Sequence, residues 1–315
     1  MCGASSLSAG LGKRWGTGVL YQGLLSSTGA LNVATVEIVE MGPRDGLQNE
    51  ARIIPTDEKV ALIDRLSACG YQRIEVASFV SPKWVPQMAD GAEVMSQIAR
   101  TPGVRYTALT PNARGLERAL DADADEVAVF GAASEGFSKA NLNATIDESL
   151  TRFRPVVRDA LAAGVPVRGY VSCVTDCPFD GPTAPEKVAQ VSEALLEMGC
   201  FEISLGETLG RASVQAVSAM LKAVVPVAGP ERLAGHFHDT GGVALANIEV
   251  ALEEGLRVFD ASVGGLGGCP YAPGAAGNVA TEAVLQFVEA RGFETGLDDE
   301  KVAEAGTFAR ALRKP

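Results

Sequence analysis

VEIVEMGPRDGLQNE, residues 36–50, joins a short run of β-prone residues to a segment that is rich in charged and amide side chains. The run predicts a first β-strand at 36–41. In a doubly wound open sheet, the first strand is normally followed by a turn of spaced glycines that binds the ligand. Residues 42–50 have a different character, so this stretch favours a closed (β/α)8 barrel over the open sheet.

The rest of the chain repeats this unit. Short β-prone runs alternate with longer segments of helical periodicity, which is typical of βαβ units around a parallel sheet. Eight strands are predicted, at 36–41, 73–77, 104–109, 126–130, 167–172, 201–204, 233–238 and 258–262. Helices are predicted between them, for example at 56–69, 112–121, 146–163, 184–198, 212–224 and 243–254. Eight units in roughly 250 residues predict an α/β fold, a (β/α)8 TIM barrel with additional C-terminal helices.

Composition limits the classes of partner and compartment. The 315-residue chain has a net charge of -12, and nucleic acids are bound by dense Lys/Arg surfaces, so we expect no nucleic-acid partner. We also expect no membrane association, since no apolar run reaches the roughly 18 residues of a span. Six cysteines in a chain of this length do not form a compact disulfide framework. A reducing compartment follows, and we expect the bacterial-type cytoplasm rather than the mitochondrial matrix.

Residues 1–34 differ from the rest of the chain. They contain many Gly, Ser and Leu residues, no acidic residue, and only Lys13 and Arg14 as basic residues. A transit peptide would be richer in arginine. We therefore interpret this segment as a disordered leader or a misplaced start, followed by a single barrel domain at 35–315.

The only two histidines of the chain, His236 and His238, lie at the end of the seventh predicted strand. Residues i and i+2 of a strand share a face, so both imidazoles should point into the mouth of the barrel. A lone histidine is usually a core or surface residue. A pair on one face, followed at once by Asp239, instead predicts a metal site.

Oxygen ligands are expected from loops after the neighbouring strands, since the first, seventh and eighth strands lie side by side in a closed barrel. Asp45 is the best carboxylate candidate. Asn278 could add an amide oxygen, and its alternative role is to cap the helix that follows. Mixed nitrogen and oxygen ligands favour Mg2+, Mn2+ or a similar divalent cation over a structural zinc. No organic cofactor is expected.

Three further charged residues lie in the first two predicted strands or in the loop after the first. Arg44 adjoins Asp45, and a guanidinium fixed at a barrel mouth can stabilise a developing enolate oxygen, whereas a surface ion pair is the alternative. Glu75 lies in an apolar strand, where an unpaired carboxylate would be costly, so we expect it to pair with Arg44. Glu40, in the first strand, is interpreted as part of a structural salt bridge, and a further barrel-interior carboxylate is the alternative.

The segment SVGGLGGCPYAPGAAGN, residues 262–278, holds six glycines and Cys269. A loop of this composition can cover and uncover a pocket. A thiol close to a metal site has a tunable pKa, so Cys269 is a candidate proton donor. Four other cysteines are interpreted as inert packing residues: Cys69, Cys173, Cys177 and Cys200.

Six blocks of the chain resemble the 3-hydroxy-3-methylglutaryl-CoA lyase family of the DRE-TIM metallolyase superfamily. They are GPRDGLQNE at 42–50, SFVSPKWVPQMAD at 78–90, FGAASE at 130–135, RGYVSC at 168–173, HDTGGVALAN at 238–247 and GLGGCPYAPGAAGN at 265–278. The resemblance extends from the first strand to the C-terminus. The combination of RDGLQNE with GLGGCPYA is highly specific, whereas the spacing of the two histidines alone would not be.

The resemblance implies a role for each matching residue. The implied metal ligands are Asp45, His236, His238 and Asn278. Arg44 would stabilise an enolate, Cys269 would be the acid on a mobile loop, and Glu75 matches a further active-site carboxylate.

The resemblance also implies a reaction on an acyl-CoA thioester. A base takes the proton of the tertiary C3 hydroxyl, and His236 is the candidate for that transfer. Cleavage then releases acetoacetate and leaves the enolate of acetyl-CoA, which is protonated. A homodimer is implied as well.

One position departs from the family pattern. Where the family usually has an aspartate in GDT, this chain has Gly206, Glu207 and Thr208. The extra methylene moves the carboxylate by roughly one carbon–carbon bond, which affects a preorganised site. We keep Glu207 as a candidate catalytic residue that affects rate or substrate choice.

Three alternatives stay open at this point. The first is a lyase for a bulkier 3-substituted glutaryl-CoA, such as 3-hydroxy-3-isohexenylglutaryl-CoA. The second is a Claisen-condensing synthase, which the GLGGCPYA loop disfavours. The third is a metal-binding barrel that no longer catalyses, for which Glu207 is the only supporting feature.

Overall fold

The computed structural model describes residues 34–269 and 272–313, and for residues 268, 269 and 272–276 it describes the backbone alone. The leader predicted at 1–34 lies outside the described residues, apart from Ala34. Among the helices in the described ranges, none has both the length and the apolar character needed to cross a bilayer.

Eight parallel strands form a closed barrel. In chain order they are β1 Glu37–Glu40, β2 Arg73–Ser78, β3 Arg105–Leu109, β4 Glu126–Ala132, β5 Val167–Ser172, β6 Glu202–Glu207, β7 Leu233–Phe237 and β8 Val258–Ala261. Each strand pairs with the next along the chain, and β8 pairs with β1, which closes the sheet. Every predicted strand overlaps one of these eight, so the barrel prediction is confirmed.

Helices cover the outside of the barrel. They are α1 Thr56–Ser67, α2 Gly91–Gln97, α3 Ala113–Asp121, α4 Glu135–Leu142, α5 Ile146–Ala162, α6 Pro185–Met198, α7 Val214–Ala228, α8 Ala244–Glu253, α9 Thr281–Glu289 and α10 Asp299–Leu312. The additional C-terminal helix is α10, which packs against α1 and α9.

Capping side chains explain where helices begin. Thr145 and Glu148 form a capping box at the start of α5, which begins at the predicted residue. Helix α7 begins two residues after the predicted position 212, because the Ser213 side chain accepts a hydrogen bond from the backbone N–H of Ala216 and so acts as the cap.

Small elements occupy the loops between these strands and helices. A single π-helical turn, Gly42–Gly46, follows β1 directly. Single 3-10 turns occur at Pro86–Met88, Pro230–Arg232 and Val263–Gly265. Asp176–Cys177 pairs with Gly181–Pro182 after β5, and Gly268–Cys269 pairs with Ala272–Ala276 after β8.

The barrel interior contains buried charged side chains. Arg73 Nη1 lies 2.9 Å from Glu202 Oε1, and Arg168 Nε lies 2.7 Å from the same oxygen. Glu126 lies at the same level, with Oε1 3.9 Å from Arg73 Nη1. Because a buried charge is costly unless it is paired, these contacts explain how so polar a layer can lie inside the barrel.

Glu40 holds the turn after β1 in place. Its Oε1 accepts hydrogen bonds from the backbone N–H of Gly42 and of Val263, and its Oε2 accepts one from the Thr281 hydroxyl. The predicted salt bridge is wrong, because backbone amides and a hydroxyl are its partners instead of a cation. Glu40 therefore joins the loops after β1 and β8.

The glycine-rich segment after β8 turns sharply before it leaves the barrel. Gly264 and Gly267 have φ values of 65° and 109°, which favour glycine. Arg313, just after α10, donates from Nη2 to the carbonyl oxygens of Gly265 and Gly267 at 2.7 and 3.0 Å. The C-terminal helix thus stabilises the base of this segment.

Candidate active site

His236 and His238 lie at the carboxyl end of β7 and point into the mouth of the barrel. Their ring centroids are 5.3 Å apart, and the two Nε2 atoms face each other at 3.3 Å. The predicted same-face pair is therefore present. Burial and the neighbouring His236 lower the pKa of His238 to about 4, which keeps this imidazole neutral and able to donate a lone pair.

Asp45 approaches the histidine pair from the π-helical turn after β1. One oxygen of Asp45 and one ring nitrogen of each histidine lie within 4.8 Å of one another. Burial opposes ionisation of Asp45, but attraction from Arg44 and the two histidines outweighs it and lowers the pKa of Asp45 to about 2. A carboxylate therefore faces two imidazoles.

Asn278 completes this group. Its Nδ2 donates a hydrogen bond to Asp45 Oδ2 at 2.7 Å, and its backbone forms a β-bridge with His238. The alternative role as a helix cap is wrong, because α9 begins at Thr281 after Ala280. Asn278 lies beside the predicted metal ligands, as expected.

Asp45, His236 and His238 fit a divalent cation. Two imidazole nitrogens that face each other, together with a carboxylate, form the mixed nitrogen and oxygen donor set that Mg2+, Mn2+ and similar ions accept. The carboxylate also supplies charge that such an ion requires. These residues form a possible metal-binding site at the end of the barrel where chemistry is expected.

Arg44 lies between Asp45 and Glu75. Its Nη1 lies 2.6 Å from Asp45 Oδ1, and its Nη2 and Nε lie 2.6 and 3.0 Å from Glu75 Oε2. The predicted pairing of Arg44 with Glu75 is confirmed, and the surface ion pair is wrong because Arg44 is buried. Burial disfavours the charged guanidinium, but Glu75 and Asp45 outweigh it and raise the pKa of Arg44. A permanent positive charge is thus held next to the candidate metal site.

Tyr170 donates its hydroxyl to Glu75 Oε2 at 3.2 Å and lies under Arg44, whose guanidinium carbon is 5.9 Å from the ring centroid. Glu75 therefore has partners on two sides, which restricts its rotation and that of Arg44.

Glu207 is fully buried at the end of β6 and lies outside the group of metal-ligand candidates. Its Oε1 accepts a hydrogen bond from the Thr175 hydroxyl at 3.4 Å, backbone N–H groups of Leu209, Arg211 and Ala212 lie near its carboxyl group, and its Oε2 is buried without a hydrogen-bond partner among the described residues. Burial raises the pKa of Glu207, and the Thr175 hydroxyl and the nearby N–H groups offset only part of that effect. The side chain thus links the loops after β5 and β6.

A family model described as HMGL-like matches residues 35–308, most of the chain. This chain belongs to the HMGL-like family. The match includes the barrel strands and the loops that carry Asp45, His236, His238 and Asn278.

Individual relatives in the HMGL-like family agree with this assignment. A Mus musculus protein named "3-hydroxy-3-methylglutaryl-CoA lyase, cytoplasmic" is 55% identical over 280 residues, which cover 89% of this chain and 82% of the mouse protein. A Pseudomonas aeruginosa protein named "3-hydroxy-3-isohexenylglutaryl-CoA/hydroxy-methylglutaryl-CoA lyase" is 54% identical over 86% of this chain and 90% of its own. The crystal structure of the HMG-CoA lyase from Brucella melitensis is 61% identical and superposes with a TM-score of 0.89, covering 90% of this chain and all of the other.

Cys269 cannot be placed relative to the site of this HMGL-like barrel, because its side chain lies outside the described residues. The four cysteines interpreted as packing residues are buried and free. Burial raises the pKa of Cys69 and of Cys200 to about 12, so neither forms a thiolate readily.

Sequence reasoning missed several polar residues of the HMGL-like site. Asp260 lies 3.0 Å from His236, Ser204 and Arg168 contact Asp260, and Tyr170 contacts Glu75. For Asp260 a signal was present, since it is a carboxylate within the apolar eighth strand, the same pattern that drew attention to Glu75. Tyr170 and Ser204 gave no signal, because such residues are common in strands.

Proposed function

We propose that this protein is a carbon–carbon lyase that cleaves 3-hydroxy-3-methylglutaryl-CoA to acetyl-CoA and acetoacetate. The observation that carries the proposal is the convergence of Asp45, His236 and His238 at the mouth of an HMGL-like barrel. The names of relatives at 55% and 54% identity support the same substrate. An acyl-CoA thioester is accordingly the proposed partner.

We propose Mg2+ or Mn2+ as the cation, held by Asp45, His236, His238 and Asn278, with no organic cofactor. The nitrogen and oxygen donor set supports this choice. When bound, a divalent cation would lower the pKa of the substrate hydroxyl and hold that hydroxyl in position.

His236 is also the proposed base for the first proton transfer. Its Nδ1 is occupied by Asp260, so its Nε2, which faces His238, would hold the cation and accept the proton of the substrate hydroxyl at different moments. Removal of the C3 hydroxyl proton lets the C3 oxygen become the ketone of acetoacetate as the bond between C2 and C3 breaks. The electron pair of that bond passes into the thioester as an enolate.

Arg44 is the proposed stabiliser of the enolate oxygen. Among the described residues, three of its five N–H donors bond to Asp45 and Glu75, and the other two can serve an incoming oxygen. A guanidinium held in advance needs no reorganisation as charge develops on the thioester, which is how electrostatic preorganisation lowers a barrier. Glu75 contributes by holding Arg44.

Cys269 is the proposed acid that protonates the enolate carbon, since it lies on the glycine-rich segment after β8, two residues beyond Gly267, which lies beside Asn278. Glu207 is proposed to act from the rim of the site, by holding the loops after β5 and β6. Neither role depends on direct metal ligation.

The proposal is tested by measuring acetoacetate release from the purified protein with Mn2+ or Mg2+. We expect cleavage that exhaustive chelation abolishes and that added metal restores. His238→Ala should lose the metal, whereas Cys269→Ala should keep it and lose turnover. Cys200→Ala is a matched control, because it removes a buried thiol away from the site and should keep both.

Two results would overturn the proposal. One is cleavage that persists after complete chelation. The other is absence of acetoacetate release from a protein that binds Mn2+ normally, which would favour a barrel that no longer catalyses.

A second candidate is a lyase for a bulkier substrate with the same chemistry. It is favoured by the Pseudomonas aeruginosa relative, whose name includes both the isohexenyl and the methyl thioester. Measuring kcat/KM for the two thioesters side by side decides between them, because only the volume of the pocket around the C3 substituent differs.

We further propose a homodimer in the cytoplasm. The support for a reducing compartment is that Cys69, Cys173, Cys177 and Cys200 are free. Light scattering tests the dimer, and a single monomeric species at working concentration would exclude it.

A further inference from the structure

Asp260 is a buried carboxylate that contacts His236 from the side away from the metal site. The two residues are partners in the register of β7 and β8. Asp260 Oδ2 lies 3.0 Å from His236 Nδ1 and accepts a hydrogen bond from the Ser204 hydroxyl at 2.7 Å. Asp260 Oδ1 lies 2.8 Å from Arg168 Nη2.

The charge of Arg168 requires Asp260 to be ionised, because both side chains are fully buried and ion-paired. An ionised carboxylate has no proton to donate. The hydrogen bond between Asp260 and His236 must therefore use a proton on Nδ1 of the imidazole. In the neutral ring the other nitrogen, Nε2, then carries a lone pair, and it faces the Nε2 of His238.

Arg168 is itself held in place by two other side chains. Its contact with Asp260 therefore also restricts the rotation of the Asp260 carboxylate. Arg168 Nε donates to Glu202 Oε1 at 2.7 Å, and Arg168 Nη1 donates to the Tyr170 hydroxyl at 3.1 Å. Tyr170 in turn donates to Glu75, the partner of Arg44. One continuous network thus extends from His236 through Asp260 and Arg168 to the side chain that adjoins Asp45.

We propose that Asp260 is a positioning residue that holds His236 as the Nδ1–H tautomer, with a bare Nε2 directed at Asp45 and His238. A carboxylate that fixes the far nitrogen of a ligating histidine also makes the near nitrogen a better donor. The consequence for metal binding and proton transfer rests on the proposed function. The tautomer itself does not.

The tautomer is directly measurable, because the full chain contains only two histidines. Protein labelled with 15N-histidine gives two imidazole spin systems, and their two-bond 1H–15N correlations distinguish an Nδ1–H ring from an Nε2–H ring. Without metal, at a pH raised until the 15N shifts show that both rings are neutral, we expect His236 in the Nδ1–H form. His238→Gln assigns the two signals. If His236 in the unsubstituted protein is instead in the Nε2–H form, the proposal is overturned. This test needs no variant at Asp260.

Asp260→Asn tests the cause. The amide oxygen should face Arg168, and its NH2 group should face His236, so Nδ1 becomes an acceptor and the ring changes to the Nε2–H form. We expect Mn2+ affinity, measured by electron paramagnetic resonance without substrate, to fall roughly 10- to 100-fold. Retention of the Nδ1–H form together with unchanged Mn2+ affinity would show that Asp260 serves only to balance the charge of Arg168.

Glu126→Gln is the matched control. Glu126 is equally buried in the barrel and lies 3.9 Å from Arg73, but it has no contact with His236. We expect it to leave the tautomer and the Mn2+ affinity unchanged. Neither the tautomer nor the Mn2+ affinity is measured through cleavage. A protein without lyase activity can therefore still show the expected tautomer, and the two failures are distinguishable.

Discussion

Asn278 Nδ2 donates to Asp45 Oδ2 at 2.7 Å, although 233 residues separate the two along the chain. They meet because β1 and β8 are neighbours in the closed barrel. The bond joins the loop that supplies the carboxylate to the glycine-rich segment, where a Cβ on Gly267 would lie 3.1 Å from Asn278 Nδ2. The position of one candidate ligand therefore depends on the other.

Asn278→Ala should weaken Mn2+ binding, because it removes a candidate ligand and leaves Asp45 without its amide partner. Titration with Mn2+ in the absence of substrate measures the effect. Asp298→Ala, which removes the cap of α10 beside Cys69 in the loop before β2, at the other end of the barrel, should lower the free energy of unfolding by about 1 kcal/mol and leave Mn2+ affinity intact. Equal affinities in the two variants would exclude Asn278 from the site.

Arg44→Lys should lower kcat roughly 10²- to 10³-fold, because an ammonium group cannot contact Asp45, Glu75 and an enolate oxygen at once. Steady-state kinetics of acetoacetate release provides the measurement. Arg118→Lys is the control, since this arginine stacks on Phe79 outside the site. A kcat close to that of the unsubstituted enzyme would show that Arg44 has only a structural role.

Glu207→Gln separates two possible roles of this carboxyl group. If it holds the loops after β5 and β6, loss of an acceptor for buried N–H groups should lower the free energy of unfolding by about 1–3 kcal/mol. Mn2+ affinity should stay unchanged, because Glu207 is not among the grouped ligands. Weaker Mn2+ binding with unchanged stability would instead identify Glu207 as a ligand, directly or through water.

The contribution of Glu126 to the free energy of unfolding should fall as pH rises from about 4.5 to about 7. Burial raises the pKa of Glu126 to about 7, and attraction from Arg73 offsets only part of that effect. The folded state therefore binds the proton more tightly than the unfolded state, where the pKa is 4.5. The resulting stabilisation is complete below the unfolded pKa and is lost as pH passes through the folded pKa, with an upper limit of about 3 kcal/mol.

Urea unfolding of the unsubstituted protein and of Glu126→Gln, at about pH 5 and about pH 8, measures this contribution. The difference in unfolding free energy between the two proteins should change with pH, since the amide does not titrate. Parallel pH profiles would mean that Glu126 has an ordinary pKa in the folded protein.

The fold could be predicted because its signals are local. Alternation of short β-prone runs with helical periodicity depends on residues a few positions apart, and eight such units lead to a barrel. The same reasoning extends to His236 and His238, because two residues at i and i+2 of a strand share a face wherever that strand lies. Asp45 followed from the neighbourhood of the first and seventh strands.

Side-chain partners across the barrel were decided by the tertiary structure alone. Asp260 contacts His236 because β8 lies beside β7 in one particular register, and a shift by one residue would turn the carboxylate outward. Glu207 faces backbone N–H groups that exist as donors only after the loop after β6 has folded. Strand periodicity is a property of the chain itself, whereas these contacts depend on barrel closure and register, which distant segments set together.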